Sequence, residues 1–123
     1  MLAAGDVVMT TAYNGRVTAA NDKDKKNFKM VWKDTPYTMD SWVIMKGTPN
    51  KADAEKLVEF MGRAENQAKL PKYIRYGVTN RDASKQIDPS LMGDLPTNPT
   101  NLNQAFPDNA KFWIDNIDKM TER

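Results

Sequence analysis

A short apolar run, a turn and an amphipathic segment follow one another directly in the middle of the chain. Residues 42–45 (WVIM) predict a short strand, and the Gly-Thr-Pro-Asn sequence a little further on predicts a turn. Asn50 is a favourable helix N-cap and Asp53 places negative charge in the first turn, so a helix is predicted from Asn50. Its apolar stripe has the spacing of one buried face: Ala54, Leu57, Val58 and Met61. We expect Gly62 to end or bend this helix.

The first two thirds of the chain are otherwise predicted to form short elements. Strands or extended segments are predicted where β-branched or alternating apolar residues occur, at 7–13, 28–32 and 73–78. Short helices are predicted at 16–20 and 63–70, and polar or proline-containing loops at 21–27 and 33–37. Pro71 stops the second of these helices.

The last third of the chain is dominated by turn-forming residues and one amphipathic helix. Residues 80–105 are expected to form short helical turns at most, because their prolines interrupt longer elements. A final helix is predicted from near Asp108, with an apolar stripe of Ala110, Trp113, Ile114, Ile117 and Met120. This helix reaches the end of the sequence without a capping residue, and the first residues run directly into the first predicted strand. We therefore expect the chain to be part of a longer protein.

Two residue types are missing from the sequence, and their absence limits its chemistry. Without cysteine there are no disulfides, thiolate nucleophiles or cysteine-bound metals, and without histidine the commonest general base is lacking. Phosphate-binding loops, dinucleotide-binding, zinc-protease and hydrolase motifs are also absent. We therefore expect no catalysis, cofactor or metal. The length of 123 residues indicates one domain at most, or a piece of something larger. The net charge of +2 is too small to indicate nucleic acid or a membrane surface as a partner.

Three tyrosines and one carboxylate beside predicted loops are the candidates for function. Tyr13 ends the predicted strand at 7–13, Tyr37 and Asp40 precede the predicted strand at 42–45, and Tyr76 lies in the sequence YIRYGVTN. An aromatic face with a carboxylate is how proteins bind organic cations, because the ring attracts the charge and the carboxylate accepts hydrogen bonds. The residues alone favour an alternative, in which the tyrosines pack against neighbours and Asp40 forms a turn.

Four segments in order resemble the C-terminal portion of periplasmic spermidine/putrescine-type solute-binding proteins of ABC transporters. They are LAAGDVVMTTAYNGRV, MDSWVIMKGTPNKADAEKLVEFM, IRYGVTN and DNAKFWIDNIDKMTER, and together they span nearly the whole chain. The resemblance implies an α/β fold that is part of a two-lobed, type II periplasmic-binding-protein architecture, with mixed short strands and amphipathic helices. It also implies a receptor that closes about a hinge on its solute and delivers it to a membrane permease.

The resemblance assigns ligand-binding roles to individual residues. Tyr13 matches the aromatic that stacks on the ligand chain, Asp40 matches the aspartate that binds an ammonium group, and Tyr76 matches a tyrosine that lines the site. Polyamine receptors often carry an aromatic two residues before that aspartate, where this chain has Thr38, although Tyr37 is adjacent.

A second departure concerns the charge of the site. Putrescine-type members can have an acid three residues after the stacking aromatic, where this chain has Arg16. A guanidinium repels a cationic end and attracts an anionic one. The expected ligand is a small amine-containing solute, either a polyamine or a related zwitterion that carries one amine and a carboxylate or phosphonate. In the zwitterion, Asp40 and Arg16 are expected at opposite ends. The alternative that Arg16 points to solvent stays open.

The resemblance also divides the chain between lobes. Residues 1–37 and about 80–123 are expected in one lobe, and about 38–79 in the other. The implied location is the periplasm, with the export signal outside these residues, and apolar helix faces would be left uncovered and prone to self-association. An alternative function is a small basic interaction module that uses the lysine-rich loop and exposed aromatics.

Overall fold

The structure, a computed structural model, describes residues 1–121. Within that range the helices are α1 (Asn14–Asp24), α2 (Lys51–Gly62), α3 (Ala64–Gln67), α4 (Arg81–Ser84), α5 (Pro99–Leu102) and α6 (Ala110–Thr121). Short 3-10 turns occupy Leu2–Ala4, Leu70–Lys72 and Pro89–Asp94. Two strands, β1 (Pro36–Tyr37) and β2 (Phe106–Pro107), complete the regular structure of residues 1–121.

The strands β1 and β2 join two distant parts of the chain. They run parallel, with Pro36 opposite Phe106 and Tyr37 opposite Pro107. The backbone N–H of Asp108 donates to the carbonyl of Tyr37 at 2.8 Å, immediately before α6 begins. The pairing therefore fixes the start of α6 beside the residues that follow Tyr37. Strand β1 falls in a segment that was predicted to be a loop.

The packed core lies around the short turns of the proline-rich third. Its buried apolar residues are Ala68, Val78, Ala83, Ile87 and Leu95. Partly buried side chains cover it: Ala64, Leu91 and Met92. Helices α3 and α4 pack against each other beside it. The prediction of short helical turns at 80–105 is confirmed, but the sequence did not reveal that these turns enclose the core.

Asparagine and aspartate side chains stabilise these turns. Each of three turns begins with a side-chain oxygen accepting a backbone N–H two residues on, at 2.9 Å: Asn80 from Asp82, Asp88 from Ser90 and Asn98 from Thr100. The buried Asn101 amide donates to the carbonyls of Gly93 at 3.0 Å and Leu95 at 2.8 Å. Such side-chain bonds satisfy backbone groups that turns this short cannot pair internally.

Three predicted strands are not formed within the described residues, namely 7–13, 28–32 and 42–45. A strand requires hydrogen bonds to a neighbour, and these segments have no partner strand in residues 1–121. Their apolar side chains are left open to solvent, with Val8, Val31 and Trp42 exposed by 97%, 73% and 75%. Instead of a ladder, the Asn21 side chain bonds both the N–H and the carbonyl of Phe28.

The longer helices follow the sequence prediction more closely. Helix α1 is longer than the predicted segment 16–20 and ends where Lys25 adopts a left-handed conformation with φ 54°. Helix α2 begins and ends as predicted, with Gly62 as its last residue. The carbonyl of Asn50 accepts the Ala54 N–H at 2.9 Å, but the Asn50 side chain does not cap the helix. The predicted helix at 63–70 is divided into α3 and a 3-10 turn.

Helix α6 forms as predicted, and its apolar stripe faces solvent. Trp113, Ile114, Ile117 and Met120 are each more than 40% exposed. The predicted run of this helix to Glu122 and Arg123 lies outside the described residues. In residues 1–121, no helix has the length and apolar character needed to cross a membrane.

Candidate ligand-binding site

The first turn of α1 packs directly against the segment that carries Tyr76. Gly15 is buried at this contact. A Cβ atom at Gly15 would lie 2.6 Å from the Cε1 atom of Tyr76 and 2.8 Å from the Cγ1 atom of Ile74. These distances are shorter than any real van der Waals contact, so the approach requires glycine. The structure thereby brings Tyr76 to the end of α1 where Tyr13 and Arg16 lie.

The Asn14 side chain links the first turn of α1 to two other segments by hydrogen bonds. Its side-chain amide donates one hydrogen bond to the carbonyl of Arg75 and another to the carbonyl of Asp94, the latter at 3.0 Å. Sequence reasoning missed this role. Nothing in the sequence alone indicates which carbonyls the amide reaches.

Arg75 adds a second link between α1 and this segment. Its guanidinium lies 3.6 Å from the Asp22 carboxylate and 3.9 Å from that of Asp94, and it donates to the carbonyl of Pro71. The side chain is only 17% exposed. The Arg75 Nε atom is buried without a hydrogen-bond partner among residues 1–121. The ion pairs are thus close enough to balance its charge but not to satisfy every donor.

Tyr13 and Arg16 both present exposed side chains at the start of α1. Tyr13 is the N-cap residue, and its carbonyl accepts the N–H groups of Arg16 at 2.9 Å and Val17 at 3.2 Å. Tyr13 is 69% exposed, and Arg16 is also exposed. The first turn contains no acidic residue. Positive charge from the guanidinium and from the helix N-terminus is therefore concentrated here.

Tyr37, Thr38 and Asp40 lie on a different part of the structure. Tyr37 is half-buried in β1, whereas Thr38 and Asp40 follow the strand and are exposed. Within residues 1–121, no hydrogen bond or ion pair involves the Asp40 carboxylate or joins these three residues to the α1 group. The six predicted residues therefore form two groups, one at the start of α1 with Tyr76 and one after β1.

Two open cavities lie near these groups. One of about 330 Å³ is formed by the second half of α1, residues 27–32 and the Gly93-Asp94 pair. The other, of about 410 Å³, is mostly apolar and lies between Pro36, Phe106 and the start of α6. There the Trp113 indole donates to the Asp108 carboxylate at 2.7 Å. None of the six predicted ligand residues lines either of these two cavities.

Carboxylates with shifted pKa values lie on the turns around the core. The pKa of Asp82 is lowered by a hydrogen bond from Lys85 and by the charge of that lysine. The pKa of Asp88 is lowered by hydrogen bonds from the Ser90 backbone N–H and hydroxyl. Within residues 1–121 no cluster of three or more carboxylates has the arrangement of a metal site.

Comparison with known proteins identifies the class to which this chain belongs. Residues 1–100 match the model of the bacterial extracellular solute-binding protein family. The chain belongs to this family. Family members of this kind bind solutes and are not enzymes, which confirms the expectation of a non-catalytic protein.

Two relatives show the similarity in more detail. Over 122 residues the chain is 38% identical to the gamma-aminobutyric acid-binding protein of Pseudomonas aeruginosa, covering 99% of this chain and 34% of the relative. The binding protein AgtB from A. tumefaciens R10, solved with agropinic acid, matches with a TM-score of 0.67 at 36% identity. That match covers 86% of this chain and 33% of AgtB. The chain thus spans about a third of the length of these relatives.

The structural match confirms the predicted fold class, part of a two-lobed periplasmic-binding-protein fold. It also explains why residues 1–121 contain only two short strands although the family is α/β, since the match covers about a third of the larger AgtB. The resemblance is confirmed for solute-binding proteins as a family. The relatives are named for gamma-aminobutyric acid and agropinic acid rather than for a polyamine.

Proposed function

We propose that the chain is the C-terminal part of a periplasmic receptor that captures a small amino acid-like zwitterion for an ABC transporter. The observation that carries the proposal is the group at the start of α1, where the exposed Tyr13 and Arg16 flank the turn that packs against the half-buried Tyr76. In this proposal the group binds the acidic end of the ligand, and Asp40 binds its amine end.

The acidic end is recognised by Arg16 and the first turn of α1. A guanidinium offers a planar pair of N–H donors that match a carboxylate. The N-terminus of an 11-residue helix adds partial positive charge, and its first turn carries no acidic residue that would oppose the ligand. A second ammonium group, such as the far end of putrescine, would be repelled here.

The amine end is recognised by the carboxylate of Asp40. This side chain is exposed and has no hydrogen bond or ion pair within residues 1–121, so it is free to accept bonds from an ammonium group. Tyr37 and Thr38 flank it in sequence, while Tyr13 and Tyr76 offer ring faces to the chain between the two ends. Gamma-aminobutyric acid, which the P. aeruginosa relative is named for, has one amine and one carboxylate.

In this proposal Tyr13 and Arg16 belong to one lobe and Asp40 belongs to the other. Residues 1–37 and about 80–123 form part of one lobe, and about 38–79 part of the other. Closure of the lobes about the hinge then brings Asp40 towards Tyr13 and Arg16. This accounts for the separation of Asp40 from Tyr13 and Arg16 within the chain. The closed receptor delivers its solute to a membrane permease.

The test titrates gamma-aminobutyric acid and putrescine by calorimetry into two proteins. One is the 123-residue chain, and the other is a chimaera in which the chain replaces the matching third of the P. aeruginosa relative. We expect the chimaera to bind gamma-aminobutyric acid more tightly than putrescine. Asp40→Asn and Arg16→Gln should each weaken binding by roughly tenfold or more, as expected for the loss of a charge-assisted hydrogen bond.

Two matched variants control for a general effect of charge. Asp118→Asn and Lys119→Gln change exposed charges on α6 and should leave the affinity unchanged. Arg16→Gln should also reduce the preference for gamma-aminobutyric acid over putrescine, because it removes the group that repels a second ammonium. Tight putrescine binding that Arg16→Gln does not alter would overturn the assignment.

A further inference from the structure

We infer that Asn14 and Gly15 are positioning residues of the ligand site, which hold the first turn of α1 against the segment that carries Tyr76. Neither residue is assigned a contact with the ligand. The inference rests on the proposed function, because it concerns how Tyr13, Arg16 and Tyr76 are held in one arrangement.

The Asn14 side chain bridges two segments that are far apart in sequence. An amide NH₂ group has two donors, and Asn14 uses them on the carbonyls of Arg75 and Asp94. Arg75 directly precedes Tyr76, so the first bond fixes the backbone that carries the Tyr76 ring. The second bond fixes the turn of α1 to the end of the 3-10 turn Pro89–Asp94.

Gly15 sets how closely the helix approaches that ring. Because a Cβ on Gly15 would come within 2.6 Å of the Cε1 atom of Tyr76, the backbone of α1 supports one side of the ring directly. The half-buried ring therefore has few alternative rotamers. Rigid placement of an aromatic before the ligand arrives reduces the entropy lost on binding.

Thr18 reinforces the same turn from within the helix. Its hydroxyl lies 3.2 Å from the carbonyls of both Asn14 and Gly15, and the residue is 5% exposed. Thr18, one turn further along α1, thereby holds the backbone of residues 14 and 15 through these two hydrogen bonds. Tyr13 and Arg16 flank these two residues. Their positions are therefore set by a turn that several hydrogen bonds hold in place.

Asn101 provides a matched control within the same chain. Its side-chain amide also donates to two backbone carbonyls, those of Gly93 and Leu95. It is 6% exposed and makes no hydrogen bond to α1 or to residues 74–76. Asn101→Ala therefore removes the same chemistry as Asn14→Ala, but it removes no hydrogen bond to α1 or to the segment that carries Tyr76.

The experiment compares the unaltered 123-residue chain with Asn14→Ala, Asn14→Ser and Asn101→Ala. Nuclear Overhauser contacts between the Gly15 α-protons and the Tyr76 ring report the packing without any ligand. Calorimetry with gamma-aminobutyric acid, on the chain and on the chimaera with the P. aeruginosa relative, reports binding. Circular dichroism gives the melting temperature of each variant.

Both alanine variants should lower the melting temperature, since both leave buried or partly buried carbonyls without donors. Only Asn14→Ala should lose the Gly15–Tyr76 contacts and weaken binding of gamma-aminobutyric acid, by about tenfold or more. Asn14→Ser retains one hydroxyl donor, so its affinity and melting temperature should lie between those of Asn14→Ala and the unaltered chain. This variant keeps the test valid if Asn14→Ala fails to fold.

Two results would overturn the inference. One is an Asn14 variant that keeps the Gly15–Tyr76 contacts and the full affinity, and the other is Asn101→Ala weakening binding as much as Asn14→Ala. Failure of the unaltered chimaera to bind gamma-aminobutyric acid would instead overturn the proposed ligand. The ligand-free contacts would still decide whether Asn14 places the Tyr76 ring.

Discussion

Leu95 and Leu57 are the same residue type in opposite surroundings. Leu95 is fully buried among the apolar residues of the core, whereas Leu57 on α2 is 56% exposed. Replacing Leu95 by alanine should therefore reduce the free energy of unfolding by about 2–5 kcal/mol, through lost burial and a residual cavity. Urea denaturation followed by circular dichroism measures this as a lower midpoint.

Leu57→Ala is the control for this substitution, with an expected loss well under that of Leu95→Ala because most of the side chain is already in water. Equal losses at the two positions would mean that the core does not lie where the short turns place it.

Gly15 and Gly62 make a second pair at the residue scale. A Cβ at Gly15 meets Tyr76 and Ile74, whereas a Cβ at Gly62 meets nothing within 4 Å. Gly15→Ala should destabilise the chain by about 1–3 kcal/mol, the usual cost of overpacking a filled site. Gly62→Ala should be neutral or stabilise slightly, because alanine reduces the freedom of the unfolded chain. Thermal unfolding of both variants checks the difference, and a stable Gly15→Ala would contradict the close packing.

The candidate site residues were predictable from the sequence to different degrees. Tyr13 and Tyr76 are predicted from the sequence as ligand residues, and the structure packs Tyr76 against the turn that Tyr13 begins. Asn14 was missed because a side-chain amide reveals its partners only in three dimensions. No pattern in the sequence indicates that it reaches carbonyls 61 and 80 residues away.

At the level of elements, periodicity predicted helices well and strands poorly. Helices α2 and α6 carry their own hydrogen bonds, so an apolar stripe and a turn signal are enough to place them. A strand depends on a neighbour, and residues 7–13 and 42–45 have none within residues 1–121. Their apolar sequence therefore predicts strands that do not form in residues 1–121, where no neighbouring strand pairs with them.

Asp88 makes the stability of one element depend on pH. It caps the 3-10 turn Pro89–Asp94, and hydrogen bonds from Ser90 lower its pKa below the ordinary value of 3.8. Because the folded pKa lies below the unfolded one, the cap contributes fully above about pH 4 and its contribution is lost as the pH falls through the folded pKa. Asp88→Ala should be less stable than the unaltered chain at neutral pH.

The difference between the unaltered chain and Asp88→Ala should shrink as the pH is lowered below 3.8, and urea midpoints at a series of pH values measure it. Asp88→Asn is the matched control, because asparagine keeps a cap oxygen without a titrating charge. A difference that stays constant at every pH would show that the cap does not act through the ionised carboxylate.

At the scale of the whole molecule, the exposed surface is larger than that of a closed domain. The chain exposes 10194 Å². A folded monomer of its mass exposes roughly 6,700 Å² by the usual scaling of area with mass. The excess is of the order that permanent protein interfaces bury. Exposed apolar side chains on α6 and at residues 42–45 account for part of it.

The isolated 123-residue chain should therefore self-associate, and sedimentation velocity should give a mass above the 13.9 kDa of one copy. Ile114 and Ile117 are 75% and 54% exposed on α6, so the double variant Ile114→Ser/Ile117→Ser should shift the distribution towards monomer. Asp118→Ser on the same helix is the control and should leave the mass unchanged. Joining the chain to the rest of the P. aeruginosa relative should also restore a monomer, because the added lobes would cover this face. A monomeric isolated chain would mean that its apolar faces pack against each other in solution, in a fold more closed than the one described.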